Sequence, residues 1–97
     1  MKRSPVFLSE TARQTLRRLH PNLKRSLRKA LDDLASNPFA GKLLQKELAG
    51  LWSLPVARYR IIYQFDDASI IVVFIGPRRT VYERLRNLIT KQEGSKS

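Results

Sequence analysis

The stretch ARYRIIYQFDDASIIVVFIGPRRTVYERL, residues 57–85, holds two strands, an acidic turn and the start of a helix. Tyr59, Ile61, Tyr63 and Phe65 alternate with Arg58, Arg60, Ile62 and Gln64, the period of two that sends successive side chains to opposite faces of a sheet. Asp66-Asp67-Ala68 turns the chain. SIIVVFI then returns as a strand apolar on both faces, which predicts a central position. Gly76-Pro77 ends it, and from Arg78 the spacing of Tyr82, Leu85 and Ile89 predicts a C-terminal helix. Four arginines, Arg58, Arg60, Arg78 and Arg79, rim this most apolar part of the chain.

Upstream, SPVFLS (4–9) reads as a short first strand, closed by Ser9 as the N-cap of a first helix. In ETARQTLRRL, Ala12, Leu16 and Leu19 recur at helical spacing, with Arg13, Arg17 and Arg18 mostly elsewhere. HPN breaks that helix; Pro21 suits the first turn of the next, and His20 is expected in a solvated turn. Over 23–35, Leu23, Leu27, Ala30, Leu31 and Leu34 form one stripe, with Lys24, Arg25, Arg28 and Lys29 opposite. SNP (36–38) stops it. FAGKLLQKEL (39–48) is a connection with weak strand character near its end. AGLWSLPV (49–56) reads as a strand starting after Gly50 that pairs poorly around Pro55, with Trp52 in or beside the core.

The order β-α-α-β-β-β-α makes one α+β domain over residues 1–97, an antiparallel sheet with a helical hairpin on one face and a short C-terminal helix. Residues 91–97 are expected as a frayed tail. With the hairpin covering the face of Tyr59, Ile61, Tyr63 and Phe65, Arg60 projects from the opposite, uncovered face. The return strand delivers Arg78 and Arg79 beside the start of Arg60's strand. Three guanidiniums then converge, and Tyr82, a helical turn beyond Arg78, leans over the same place.

The 97 residues carry 19 Lys and Arg against 8 Asp and Glu, a formal charge of +11. A field of that sign attracts polyanions: nucleic acid, anionic membrane surface or an acidic protein segment. No cysteine is present, so disulfides, thiolate chemistry and cysteine-ligated metals are excluded. The N-terminal apolar run is too short for a signal peptide and Ile70 to Ile75 is far short of a membrane span. A cytoplasmic protein is the expectation. Asp32-Asp33 and Asp66-Asp67 are adjacent pairs, poorly spaced for a metal, and Gly41-Lys42 lacks the glycines of a phosphate loop.

An arginine cluster with a phenol suits a phosphate. Guanidinium stays charged, grips phosphate oxygens bidentately and stabilises charge building on a phosphorane-like transition state. Tyrosine can stack on a base, donate a proton or orient a nucleophile. For RNA, the nucleophile can be the substrate's own 2′-hydroxyl, which calls for neither metal nor cofactor. On the residues alone a second reading stands beside this one: surface ion pairs for the arginines, and a core position for Tyr82.

GLWSLPVARYRIIYQFDDASIIVVFIGPRRTVYERL resembles the RelE/ParE family of bacterial toxins from toxin–antitoxin pairs. The resemblance rests on Gly50-Leu51-Trp52, Tyr59-Arg60-Ile61-Ile62-Tyr63, the Asp66-Asp67 turn and the spacing of Arg78 and Tyr82. It implies the β-α-α-β-β-β-α fold, a cognate antitoxin as partner, and no cofactor or metal. The RelE branch cleaves mRNA on the ribosome, leaving a 2′,3′-cyclic phosphate. On that pattern Arg60, Arg78 and Tyr82 are the catalytic residues, and Arg58, Arg79 and Lys46 are expected to hold RNA. Well-known members carry lysines on the strand that here reads Leu51, Trp52, Ser53, Leu54. The general base is therefore left among Tyr82, Lys46 and Glu47. The ParE branch, which inhibits DNA gyrase without cleavage, is the alternative, as is a degenerate member that only binds antitoxin or RNA.

Overall fold

A computed structural model describes the backbone of residues 3–94 and the side chains of residues 3–89. Five strands form one sheet in the order β1-β5-β4-β3-β2: β1 (Val6–Leu8), β2 (Lys42–Leu43), β3 (Trp52–Val56), β4 (Tyr59–Phe65) and β5 (Ile70–Pro77). The helices are α1 (Glu10–Arg18), α2 (Pro21–Ser36) and α3 (Val81–Gly94). Among the described residues no helix is long and apolar enough to cross a membrane.

The expected order of elements holds apart from one added strand, the two-residue β2 between α2 and β3, and so does the hairpin. Ser9 caps α1 by accepting the Ala12 N–H at 3.1 Å. Pro21 opens α2, and His20 does more than sit in a turn: its Nδ1 accepts the Asn22 N–H at 3.3 Å as the N-cap. Leu27, Ala30, Leu31 and Leu34 from α2 and Ala12 from α1 bury against Ile61, Tyr63, Ile70, Val72 and Ile75, with Tyr59 and Phe65 at the margin. The strand alternation around Tyr63 and the helical stripe are thus the two halves of one core.

Four features differ from the expectations raised by the sequence. First, the sheet is mixed. β4 pairs antiparallel with β5 and β3, but β1 joins β5 in parallel. Parallel neighbours need a long crossover, and α1 through β4 supply it. Second, the strand within 39–48 lies near the start of that segment, at Lys42–Leu43, flanked by 3₁₀ turns at Pro38–Ala40 and Lys46–Leu48. Two residues are too few to show a period. Because β2 reaches only Trp52 and Ser53, the outer edge of β3 is open beyond them, which is where Pro55 is tolerated.

The third difference matters most for the site. The face opposite the hairpin is covered in part: α3 lays Val81 and Leu85 on Ile62, Phe74 and Leu48, forming a second, smaller core. Finally, α3 continues to Gly94, so residues 91–94, expected in the tail, are helical; residues 95–97 lie outside the described residues.

Candidate active site

Two local devices aim the arginines. Ala57 and Arg58 form the turn between β3 and β4, so Arg58 caps the hairpin rather than joining β4. The turn needs a left-handed residue, and Ala57 supplies it at φ 54°. The Arg78 N–H then donates to the Arg58 carbonyl at 2.8 Å, tying the exit of β5 to that turn.

The second device is a bulge. The β4–β5 register slips at Ile62/Tyr63, where Tyr63 pairs with Val72 but Ile62 pairs with Phe74, leaving Val73 as the extra residue. Val73 and Phe74 both serve the α3 side, and the Ser9 hydroxyl donates to the Val73 carbonyl at 2.8 Å. Without the extra residue, the register set by Phe65 and Ile70 would bring Ile75 opposite Arg60. With it, Gly76 takes that place. A Cβ on Gly76 would stand 2.8 Å from Phe74 Cε2 and 3.1 Å from Val81 Cγ2. Glycine there lets the first turn of α3 settle close to the sheet and bring Tyr82 over Arg60.

The result is a concavity of ≈ 900 Å³ lined by Ala57, Arg58, Tyr59, Arg60, Pro77, Arg78 and Arg79. All four arginines singled out in the sequence line it. Arg58, Arg78 and Arg79 are exposed and Arg60 is half-buried. The ion pairs among the described residues are Arg3–Asp32, Lys29–Asp33 and Arg86–Glu47, and none involves these four. The simple account of the arginines as surface ion-pair partners therefore finds no support there. Their field is left for an outside anion.

Tyr82 does not line the cleft but roofs one of its walls. Its ring centroid lies 5.4 Å from the Arg60 guanidinium carbon, a cation–π contact. Beneath both lies Ser53, which no motif in the sequence marks as functional. It is 1% exposed and the buried polar residue of the core. The Ser53 and Tyr82 hydroxyls share a hydrogen bond of 3.1 Å, and Arg60 Nη1 donates to Ser53 Oγ at a long 3.4 Å. Arg60 Nε is buried without a partner among the described residues, a polar atom of the kind that an anion or water ordinarily satisfies.

Lys46 and Glu47 sit apart from the cleft. Lys46 is exposed at φ 58° in the 3₁₀ turn before β3. The Glu47 carboxylate accepts from Arg86 Nε at 2.7 Å. A backbone hydrogen bond within Glu47 itself, then Arg86, hold its carboxyl below the usual carboxylate range, which makes it a weak base. Among the described residues no group of three or more His, Asp or Glu side chains is placed to hold a metal ion.

The family profile described as "ParE toxin of type II toxin-antitoxin system, parDE" matches residues 6–82, from the first residue of β1 to Tyr82. Toxin RelG of Mycobacterium tuberculosis is 32% identical over 83 residues, 81% of this chain and 95% of its own length. Among solved structures, the toxin–antitoxin complex RelBE2 from Mycobacterium tuberculosis matches at a TM-score of 0.74 and 30% identity, covering 80% of this chain and 94% of that one. The intact E. coli RelBE toxin–antitoxin complex shares the fold at a TM-score of 0.66 and 22% identity, over 76% of this chain and 95% of its own. With the profile spanning the sheet, the helical hairpin and the arginine cleft, and the RelG relative covering 81% of the chain, the chain belongs to the RelE/ParE family of type II toxin–antitoxin toxins.

Proposed function

We propose that this toxin is an endoribonuclease that cuts mRNA on the ribosome, with the substrate's 2′-hydroxyl as nucleophile. The observation that carries the reading is the cleft itself: Arg58, Arg60, Arg78 and Arg79 around one space, with Tyr82 stacked on Arg60. A phosphate in that space meets guanidiniums that donate to its oxygens bidentately. As the 2′-oxygen attacks the adjacent phosphorus, negative charge builds on the non-bridging oxygens. Fixed guanidiniums stabilise that charge without having to reorganise. Tyr82 is the titratable group held against the cluster, and Glu47, already paired, is the weaker candidate for proton transfer. The mechanism draws on no metal or cofactor. Loss of message then accounts for inhibition of growth.

A cognate antitoxin is the proposed partner, as in the RelBE2 complex. The basic outer faces of α1 and α2, with Arg13, Arg17 and Arg28 exposed, favour an acidic segment that is steered in by charge. Gyrase inhibition is the second reading. It is favoured by the ParE description of the matching family and by the absence of lysine from β3.

Inducing the chain and mapping mRNA 5′ ends, with a supercoiling assay alongside, separates the two. New 5′ ends within translated messages and untouched gyrase support the ribonuclease. Intact messages with blocked supercoiling support the rival.

A further inference from the structure

A strand that is cut internally must leave the arginine cleft on both sides of the scissile phosphate. In one direction the cleft adjoins a second hollow. The two share a wall, the cross-strand pair of Tyr59 and Pro77. Past that pair lies a space of ≈ 470 Å³ lined by residues of α1 and α3. It exists because β1 pairs with β5 only as far as Val72, which leaves the later edge of β5 to α1. Arg18, the last residue of α1, and Arg84, the fourth of α3, belong to its lining. Both are exposed, and neither takes part in the ion pairs among the described residues. Thr11 and Thr15 add hydroxyl-bearing side chains to the same lining.

Other hollows of the surface have a different charge pattern. The one between β1 and α2 includes Asp32, which already pairs with Arg3. The one beside the β4–β5 turn includes Asp66 and no cation. The one beside β2 holds Lys42 with Arg86, and Glu47 takes up the latter. The hollow past Tyr59 resembles the cleft instead, with free guanidiniums and no acidic residue in its lining.

We propose that Arg18 and Arg84 form a second phosphate subsite, which holds the backbone of the mRNA beyond the scissile phosphate. This inference rests on the ribonuclease reading above. A positively charged groove tracks the backbone of a single strand and leaves its bases unread. Two guanidiniums also suit an acidic peptide, but the continuity with the cleft favours the strand that has to leave it. Arg18 and Arg84 lie past the Tyr59–Pro77 wall and do not line the cleft of the reacting phosphate. They therefore bind substrate and transition state alike, a contribution that appears in KM and not in kcat.

The test uses ribosomes programmed with a set of mRNAs, each with one neutral methylphosphonate linkage at a successive position on either side of the cut. On native mRNA, Arg18→Gln and Arg84→Gln are each expected to raise KM about threefold, on the scale of an exposed ion pair. Together they should raise it about tenfold with kcat unchanged. At one neutralised linkage the wild type should lose affinity by a similar factor, and the double variant should lose no more, because the charge that its arginines would have met is already gone. A raised KM that no single linkage makes redundant assigns these arginines to ribosomal RNA and overturns the subsite. A fall in kcat at unchanged KM overturns it too, since it places them in the chemistry. Unchanged cleavage by the double variant, with weaker neutralisation by the antitoxin, gives the hollow to an acidic peptide; unchanged cleavage with unchanged neutralisation gives it to neither. Wild-type protein that cuts no mRNA in the set removes the ribonuclease reading together with this one, whereas the other outcomes leave that reading standing.

Discussion

Gly41→Ala is expected to destabilise the protein severely, although position 41 takes up an extended backbone, φ −82° and ψ −169°, that alanine adopts freely. The obstacle is space. A Cβ there would stand 2.5 Å from Tyr63 Oη and 2.8 Å from the Ser53 carbonyl oxygen. Tyr63 is fully buried and cannot swing aside. Its hydroxyl donates to the Pro38 carbonyl at 2.7 Å and accepts the Gly41 N–H at 3.0 Å. Forcing the segment outward costs about 1–3 kcal/mol for overpacking. It also strands a buried polar group, at about 1–3 kcal/mol more. The reduced freedom of the unfolded chain offsets about 0.4–1 kcal/mol. The net is a loss of about 3 kcal/mol, or roughly 12–24 °C in Tm for a domain of this size. Trp52, the sole tryptophan, stacks 6.3 Å from Tyr63 and reports unfolding by fluorescence. Tyr63→Phe deletes the atom nearest the new methyl, so the double variant should be more stable than the two single losses predict. The remaining contact with the Ser53 carbonyl should prevent full recovery. A Gly41→Ala protein with an unchanged urea midpoint, or a strictly additive pair, would refute the close approach.

Arg60→Ala and Arg78→Ala are each expected to lower toxicity and cleavage by roughly 10²–10³ in rate, with melting curves checking that the fold survives; full toxicity of both variants removes the cleft from the mechanism. Asp66 Oδ1 accepts the Ala68 and Ser69 N–H groups at 2.8 and 3.0 Å, which lowers its pKa below the ordinary 3.8. Its stabilising contribution is therefore complete above the unfolded pKa and lost as pH falls through the lowered folded value. The stability gap between wild type and Asp66→Ala should hold near neutrality and close in acid; a gap that widens in acid contradicts this. Ala57→Gly should relieve the left-handed turn at φ 54° and raise stability by up to about 1 kcal/mol in thermal melts.

Much of this arrangement was legible in the sequence because it rests on periodicity. The stripe from Leu27 to Leu34 and the alternation from Tyr59 to Phe65 identified their mutual core, and antiparallel return of β5 was enough to bring Arg78 and Arg79 back to Arg58 and Arg60. What stayed hidden has no period. SIIVVFI is apolar at nearly every position, so it cannot signal where Val73 is squeezed in, and the bulge decides that Gly76 faces Arg60. The turn at Ala57-Arg58 lacks the Asn-Gly or Gly pattern that would have marked it. Without that turn the register of β3 on β4 is unknown, and with it the place of Ser53 on the face of Arg60. The partial cover from α3 comes from Val81 and Leu85 meeting Ile62 and Phe74, contacts between elements whose relative placement no local pattern gives.

The central claim is that the arginine cleft cuts RNA. The most direct measurement is end-group analysis of mRNA incubated with purified full-length toxin and programmed ribosomes, wild type beside Arg60→Ala. The account predicts an upstream fragment ending in a 2′,3′-cyclic phosphate and a downstream fragment beginning with a 5′-hydroxyl, both strongly reduced in the variant. Intact mRNA under conditions where the same preparation blocks gyrase supercoiling would contradict it.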